Sequence, residues 1–325
     1  MKRLLILPAP RISPVSREES PFRIGYLLTL LFLSSFAGCD SSELETAVEP
    51  ETTVTQGEAR SADGVTIRYD VRGTGDPTLV RVHGWTNPRT IWGEHPNTLS
   101  RTHRVVTLDL AGHGVSGADR TDWTVDAFGE DVAAVVDQLE LESVVLVGFS
   151  MGAGVVLEAA ERIGDRVLGV VFVDDLKDPE WVPNPAETEQ MMLAFREAWG
   201  DTAFIRAFAF TPEAPDSLIT HVAEMMPDQP YEYWFTVLRS YSEWMASDLK
   251  TTLMETDVPI AAINTTMPPT NVEAMRRYAP SFTVDTMAGV GHAGILLRRV
   301  DDFDARLLAL VERFVDMRAA GSLTS

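Results

Sequence analysis

Short, nearly continuous runs of Val, Ile and Leu, separated by stretches of helical periodicity, constrain this chain more than any other feature. Residues 65–71 (VTIRYDV) alternate apolar with polar and are followed by Gly73, Gly75 and Pro77, the pattern of a strand and a turn. Residues 78–82 (TLVRV), 104–108 (RVVTL), 143–147 (SVVLV), 168–173 (LGVVFV) and 259–263 (PIAAI) are more uniformly apolar, as parallel strands covered on both faces require. Between them Phe128, Val132, Val135 and Leu139 recur at helical spacing, and residues 151–163 form a small, apolar window ending at Gly164. Phe303, Leu307, Val311 and Phe314 make one stripe of a C-terminal helix. Strand and helix in alternation predict an α/β fold: a mostly parallel sheet with helices on both faces.

The rhythm breaks over residues 178–250. This stretch is rich in Pro, Met and aromatics and has helical but no strand periodicity, so it reads as a helical cap inserted between two strands. The expected organisation is one α/β core over 60–177 and 251–320, with the cap over 178–250. At 325 residues and 45% hydrophobic, the chain can bury one large core. Its formal net charge of −21 repels phosphate backbones, so nucleic acid is not an expected partner.

Three motifs follow three of the strands. His83-Gly84-Trp85 comes after TLVRV. The segment Asp109-Leu-Ala-Gly112-His113-Gly114-Val-Ser116 comes after RVVTL. Gly148-Phe149-Ser150-Met151-Gly152 comes after VVLV and opens the apolar helix. A serine at a sharp strand–helix turn has its Oγ exposed at a helix N-terminus, where free N–H groups favour developing negative charge. Ser150 is therefore the candidate nucleophile. In this order and spacing the motifs resemble the α/β-hydrolase fold enzymes over about residues 60–320. The resemblance implies that the 109–116 loop is structural. It also implies that the backbone N–H groups of Trp85 and Met151 form an oxyanion hole.

A serine hydroxyl needs a base within hydrogen-bond reach. The family carries its histidine in a late Gly-rich loop, and His292 in GVGHAG lies in such a loop. The acid departs from the usual pattern. After the strand that follows the cap, the sequence reads PIAAINTTMPPTNVEAM, with no Asp at the turn. Some relatives carry the acid one strand earlier, where this chain has Asp174-Asp175. Asp174 is the first candidate and Asp175 the second; a Ser–His dyad, or Asn264 as a weaker orienter, stays open.

The N-terminus reads as an address. Lys2, Arg3, Arg11, Arg17 and Arg23 against Glu18 and Glu19 form a basic segment, followed by the apolar run 24–36 and then Ala37-Gly38-Cys39. The run is shorter than the roughly 20 residues of a spanning helix. A signal peptide over 1–38 is expected. Phe36-Ala37-Gly38-Cys39 resembles the bacterial lipoprotein processing box, which implies lipidation at Cys39, the chain's one cysteine. An ordinary secretory signal is the competing reading. Residues 39–59 are acidic and expected to form a flexible tether. The protein is thus expected to be exported and held to a membrane only through a lipid at Cys39.

The implied activity is that of a carboxylesterase-like serine hydrolase, acting by acyl transfer on a small ester with an apolar moiety. No cofactor or metal is called for. Thioester, lactone, C–C bond or N-terminal prolyl peptide cleavage suits the same residues. An inactive surface lipoprotein that binds a ligand or partner is the alternative from a different class.

Overall fold

The computed structural model describes residues 53–227 and 232–321. The signal-peptide and lipidation readings, Cys39 included, lie outside them. Eight strands form one sheet: β1 (Thr55–Arg60), β2 (Thr66–Arg72), β3 (Thr78–Val82), β4 (Val105–Asp109), β5 (Val144–Phe149), β6 (Val167–Val173), β7 (Ile260–Thr265) and β8 (Thr283–Met287). Their spatial order is β1-β2-β4-β3-β5-β6-β7-β8. β1–β2 and β2–β4 are antiparallel, and every neighbouring pair from β4 to β8 is parallel.

The helices are α1 (His95–Leu99), α2 (Val125–Gln138), α3 (Gly152–Ile163), α4 (Pro185–Glu197), α5 (Thr202–Ala209), α6 (Asp216–Met225), α7 (Glu232–Ser247), α8 (Leu249–Glu255), α9 (Val272–Tyr278), α10 (Gly294–Leu297) and α11 (Val300–Ala319). Two hydrophobic layers follow from the two-residue period of the strands. Val80, Val82, Leu146, Val170, Phe172 and Ala262 face one side, where Phe128 and Val132 of α2 and Val155 and Val156 of α3 cover them. Leu79, Val145, Val147, Val171, Ala261 and Ile263 face the other, against Phe303, Leu307, Val311 and Phe314 of α11.

The tether boundary needs correction. Residues 55–59 fall in the expected tether, yet with Arg60 they form β1, paired along its whole length with β2 and burying Ala59. Backbone pairing orders a segment whose side chains offer little to a core. The side chains of β8 are mostly half-exposed, which blurs its strand signal in the sequence. The inserted region does contain helices and no strand among its described residues, with α4 to α7 lying between β6 and β7.

β3 sits between β4 and β5, so the chain runs outward from β3 in both directions. Loops that leave the C-terminal ends of β3 and β5 therefore diverge, and the crevice between them is where open α/β sheets place ligands.

Candidate active site

Ser150 follows the last residue of β5 and has φ 52°, a left-handed conformation costly for a non-glycine residue. Its N–H donates to the Val173 carbonyl at 2.9 Å, so the β5–β6 ladder continues into the turn and holds it. The flanking glycines are steric necessities. A Cβ at Gly148 would lie 2.1 Å from the Gly152 carbonyl oxygen, and one at Gly152 would lie 2.6 Å from the carbonyl oxygens of Val82 and His83. A Cβ at Gly84 would come within 2.8 Å of the Ser150 Cβ. The 83–85 loop thus passes directly beside the serine, and α3 begins two residues after it.

Asp174 repeats the same turn one strand over. It follows β6, has φ 55°, and its N–H donates to the Ile263 carbonyl at 3.1 Å. Two adjacent strands therefore each end in a strained residue that presents its side chain at the same edge of the sheet.

His292 joins them. It lies in the loop between β8 and α10, with its ring stacked on Phe149 at 4.9 Å between centroids. Its Nε2 is 3.0 Å from the Ser150 Oγ and its Nδ1 is 2.8 Å from the Asp174 Oδ2. With Nδ1 protonated, the imidazole donates to Asp174 and accepts from the serine hydroxyl. The structure brings Asp174, not Asp175, to His292. Asn264, the alternative orienter, instead donates from Nδ2 to Thr270 Oγ1 at 2.9 Å.

Asp174 is 7% exposed and its other oxygen is fully engaged. Oδ1 accepts from the Thr265 N–H at 2.8 Å and the Thr265 Oγ1 at 2.8 Å, and pairs with Lys177 Nζ at 2.7 Å. Burial alone would push this carboxyl up. The hydrogen bonds and charges of His292 and Lys177 outweigh burial and hold it well below the usual carboxylate range. Thr265 is the last residue of β7, the strand whose end carries no acid. That strand end donates two hydrogen bonds to a carboxylate placed on its neighbour. Neither Thr265 nor Lys177 was singled out in the sequence. Lys177 carries a faint signal, since it stands three residues after the first acid candidate.

The histidines of the other strand-end motifs bond to the backbone of their own and neighbouring loops. His83 is fully buried; its Nδ1 donates to the Gly84 carbonyl at 2.9 Å and its Nε2 accepts from the Leu110 N–H at 3.0 Å. His113 Nδ1 donates to the Ala111 carbonyl at 2.9 Å. Asp109 accepts from the Arg89 N–H at 2.6 Å, from the Arg89 guanidinium and from the Val115 N–H at 3.1 Å. Together these bonds fold the loops under the site.

A cavity of about 260 Å³ opens from Ser150, Met151, Trp85 and His292 towards Phe195, Phe204, Ile205 and Leu238 of the cap. A second, of about 940 Å³, reaches Ser150 and His292 from Lys177, Thr211 and residues 265–269. Trp181 and Phe208 line both. Trp85 is fixed among Phe195, Trp199 and Phe235, and its Nε1 donates to the Trp234 carbonyl at 2.7 Å.

A strained serine at a strand–helix turn, beside a loop from a neighbouring strand and under a helical insertion, places the chain in a known class. Residues 77–298 match the family model of the alpha/beta hydrolase fold, and the chain belongs to that family. Over 111 residues it is 34% identical to the dihydrolipoyllysine-residue acetyltransferase component of the acetoin cleaving system of Cupriavidus necator; the match covers 34% of this chain and 30% of that protein. The chain thus spans about a third of the length of that relative. Among solved structures, an esterase from Thermogutta terrifontis superposes with a TM-score of 0.69 at 20% identity, covering 80% of this chain and 99% of that one. A bromoperoxidase from Bacillus anthracis superposes with a TM-score of 0.65 at 21% identity, covering 79% and 100%. At these identities the structural likeness speaks to the fold.

Proposed function

We propose that this protein is a serine carboxylesterase in which Ser150, His292 and Asp174 form the catalytic triad. The observation that carries the reading is the continuous chain of contacts from Ser150 Oγ through both nitrogens of His292 to Asp174, with distances of 3.0 and 2.8 Å. His292 Nε2 takes the serine proton as Oγ bonds to the ester carbonyl carbon. The amides of Trp85 and Met151 stabilise the oxyanion. The C–O bond to the alcohol then breaks, and His292 returns its proton to the departing alkoxide. Water repeats the sequence on the acyl-enzyme, releasing the acid. Asp174 holds the imidazole tautomer and stabilises the imidazolium. The aromatic cavity favours an apolar acyl or alcohol part.

A fluorophosphonate probe should label Ser150 in the parent and not in Ser150→Ala. Hydrolysis of short-chain p-nitrophenyl esters should fall about 10⁵–10⁶-fold in Ser150→Ala and His292→Ala. Absence of both labelling and turnover in the parent would replace the esterase reading with a ligand-binding one. Export and lipid anchoring at Cys39 belong to the same proposal. Metabolic labelling with a fatty-acid analogue should mark the parent and spare Cys39→Ala, and an unlabelled parent would remove the anchor.

A further inference from the structure

Asp175 makes no hydrogen bond to His292 and lines both cavities that meet at Ser150 and His292. In the aromatic cavity the ionisable side chains are His292, Asp175 and Tyr241; most of the rest of the wall is apolar. One Asp175 oxygen accepts from the Leu176 N–H at 2.7 Å. The Tyr241 hydroxyl is buried and lies against this carboxyl as its polar partner. It is not free to swing away. The Tyr241 ring stacks on Trp244 at 5.9 Å and 13°, and it lies so close over Gly154 that a Cβ there would fall 2.8 Å from its Cε2. A polar pair fixed in an otherwise apolar substrate cavity, beside the serine and histidine, is suited to orienting a polar atom of a ligand.

We propose that Asp175 and Tyr241 form a polar recognition site inside the aromatic pocket, and that the preferred substrate is an ester whose apolar portion carries a hydroxyl group. This inference rests on the esterase reading and names the substrate class for it. A hydroxyl accepts from the Tyr241 O–H and donates to Asp175 in one contact, so both groups are satisfied. An unsubstituted methylene would offer this pair no polar partner, and a substrate carboxylate would meet Asp175 with like charge. A neutral group fits better than an ammonium. Burial pushes both the Asp175 carboxyl and the Tyr241 hydroxyl up, and an ammonium in this apolar cavity would lose its hydration.

The test uses the purified protein and two matched ester series. One varies the acyl part, comparing ethyl hexanoate with hexanoates hydroxylated at carbons 3 to 6 and with 6-aminohexanoate. The other varies the alcohol part, comparing hexyl acetate with the monoacetate of hexanediol. At one hydroxyl position at least, the parent should prefer the hydroxylated ester by about tenfold or more in kcat/KM. In Asp175→Ala and in the isosteric Tyr241→Phe that ratio should collapse towards one, with the unsubstituted ester losing less. Three results overturn the proposal: preference for the unsubstituted ester throughout both series, equal losses on both members of each pair, or preference for the amino ester. Turnover of ethyl hexanoate reports separately on the esterase reading; if the parent cleaves no ester, that reading falls and the recognition site falls with it.

Discussion

The sheet and the cap hold their residues in opposite ways. Every residue of β3, β4, β5, β6 and β7 is buried, polar ones included. The cap leaves Trp181, Leu193 and Phe208 more than half exposed, with a small buried centre of Met192, Phe195 and Phe235. Two of the groups proposed for catalysis, Ser150 and Asp174, stand on strand ends fixed by ladder hydrogen bonds, and the groups that would touch an apolar substrate stand on thinly packed helices. Chemistry that tolerates little displacement is thus placed on the most constrained backbone, and recognition on the part that can adjust.

The largest effect that would break this comparison lies on the strand ends. Asp174→Asn should lower kcat by about 10²–10⁴, because it removes the acceptor that fixes the imidazole tautomer, and the protein should stay folded. Asp175→Asn should cost less than about tenfold on an unsubstituted ester, since Asp175 faces the cavity and makes no hydrogen bond to His292. Steady-state kinetics on a short p-nitrophenyl ester decides between them. A large loss in Asp175→Asn and a small one in Asp174→Asn would reverse the assignment.

A smaller effect is expected at the seam. The loop carrying His292 touches the cap through backbone: Ala293 donates to the Ala209 carbonyl at 2.8 Å, and a Cβ at Gly291 would fall 2.5 Å from the Phe210 Cα. Gly291→Ala must push this loop and the end of α5 apart. A displacement of an ångström at the base costs about 10²-fold at most. We expect kcat to fall by about ten- to a hundredfold, and an unchanged kcat would show that the seam does not position His292.

Much of this arrangement was legible in the sequence, for a physical reason. The strands over 78–173 are buried on both faces, so their apolar runs stand out whatever surrounds them. Ser150 sits in a motif whose glycines are dictated by contacts within the same turn and with the neighbouring loop. His292 followed from its glycine-flanked loop. The acid stayed divided between Asp174 and Asp175, because only the turn geometry at the end of β6 decides which carboxylate points inward. Thr265 and Lys177 were not foreseen. Thr265 reaches Asp174 across 91 positions of chain, a contact that leaves no local pattern. β1 was missed because an edge strand can be ordered by backbone pairing while its side chains remain polar. Tyr241 was one aromatic among many in the cap, and its place against Asp175 is a property of packing alone.

On the cap itself, Phe208 is 52% exposed, lines both cavities and meets the His292 ring edge-on at 6.0 Å. Phe208→Ala should raise KM for apolar esters about three- to tenfold with little change in kcat, since it removes binding shared by ground and transition states. A half-exposed side chain should alter global stability by only about 1 kcal/mol, readable as a shift of the thermal midpoint. If kcat fell as far as in Gly291→Ala, the cap would be part of the catalytic geometry rather than of recognition, and the contrast with the sheet would fail.

The finest test concerns Lys177, which lies where the two regions meet and touches the acid from the side opposite His292. Because Asp174 is held well below the usual carboxylate range, it stays ionised from about pH 4 upward. Lys177→Met removes a positive charge next to Asp174 and so relieves part of what holds its carboxyl down. The stability consequence has a definite sign. A carboxyl whose folded value is depressed contributes stability above its unfolded value of about 4, and this is lost as pH falls through the folded value. Without Lys177 the folded value rises towards the unfolded one. The variant should therefore be less stable than the parent above about pH 4, and the two should converge as acid protonates Asp174 in both. Urea unfolding along a pH series reads that convergence. A parallel stability offset at every pH would mean that Lys177 ties the 174–178 turn to β7 mechanically and does not tune Asp174.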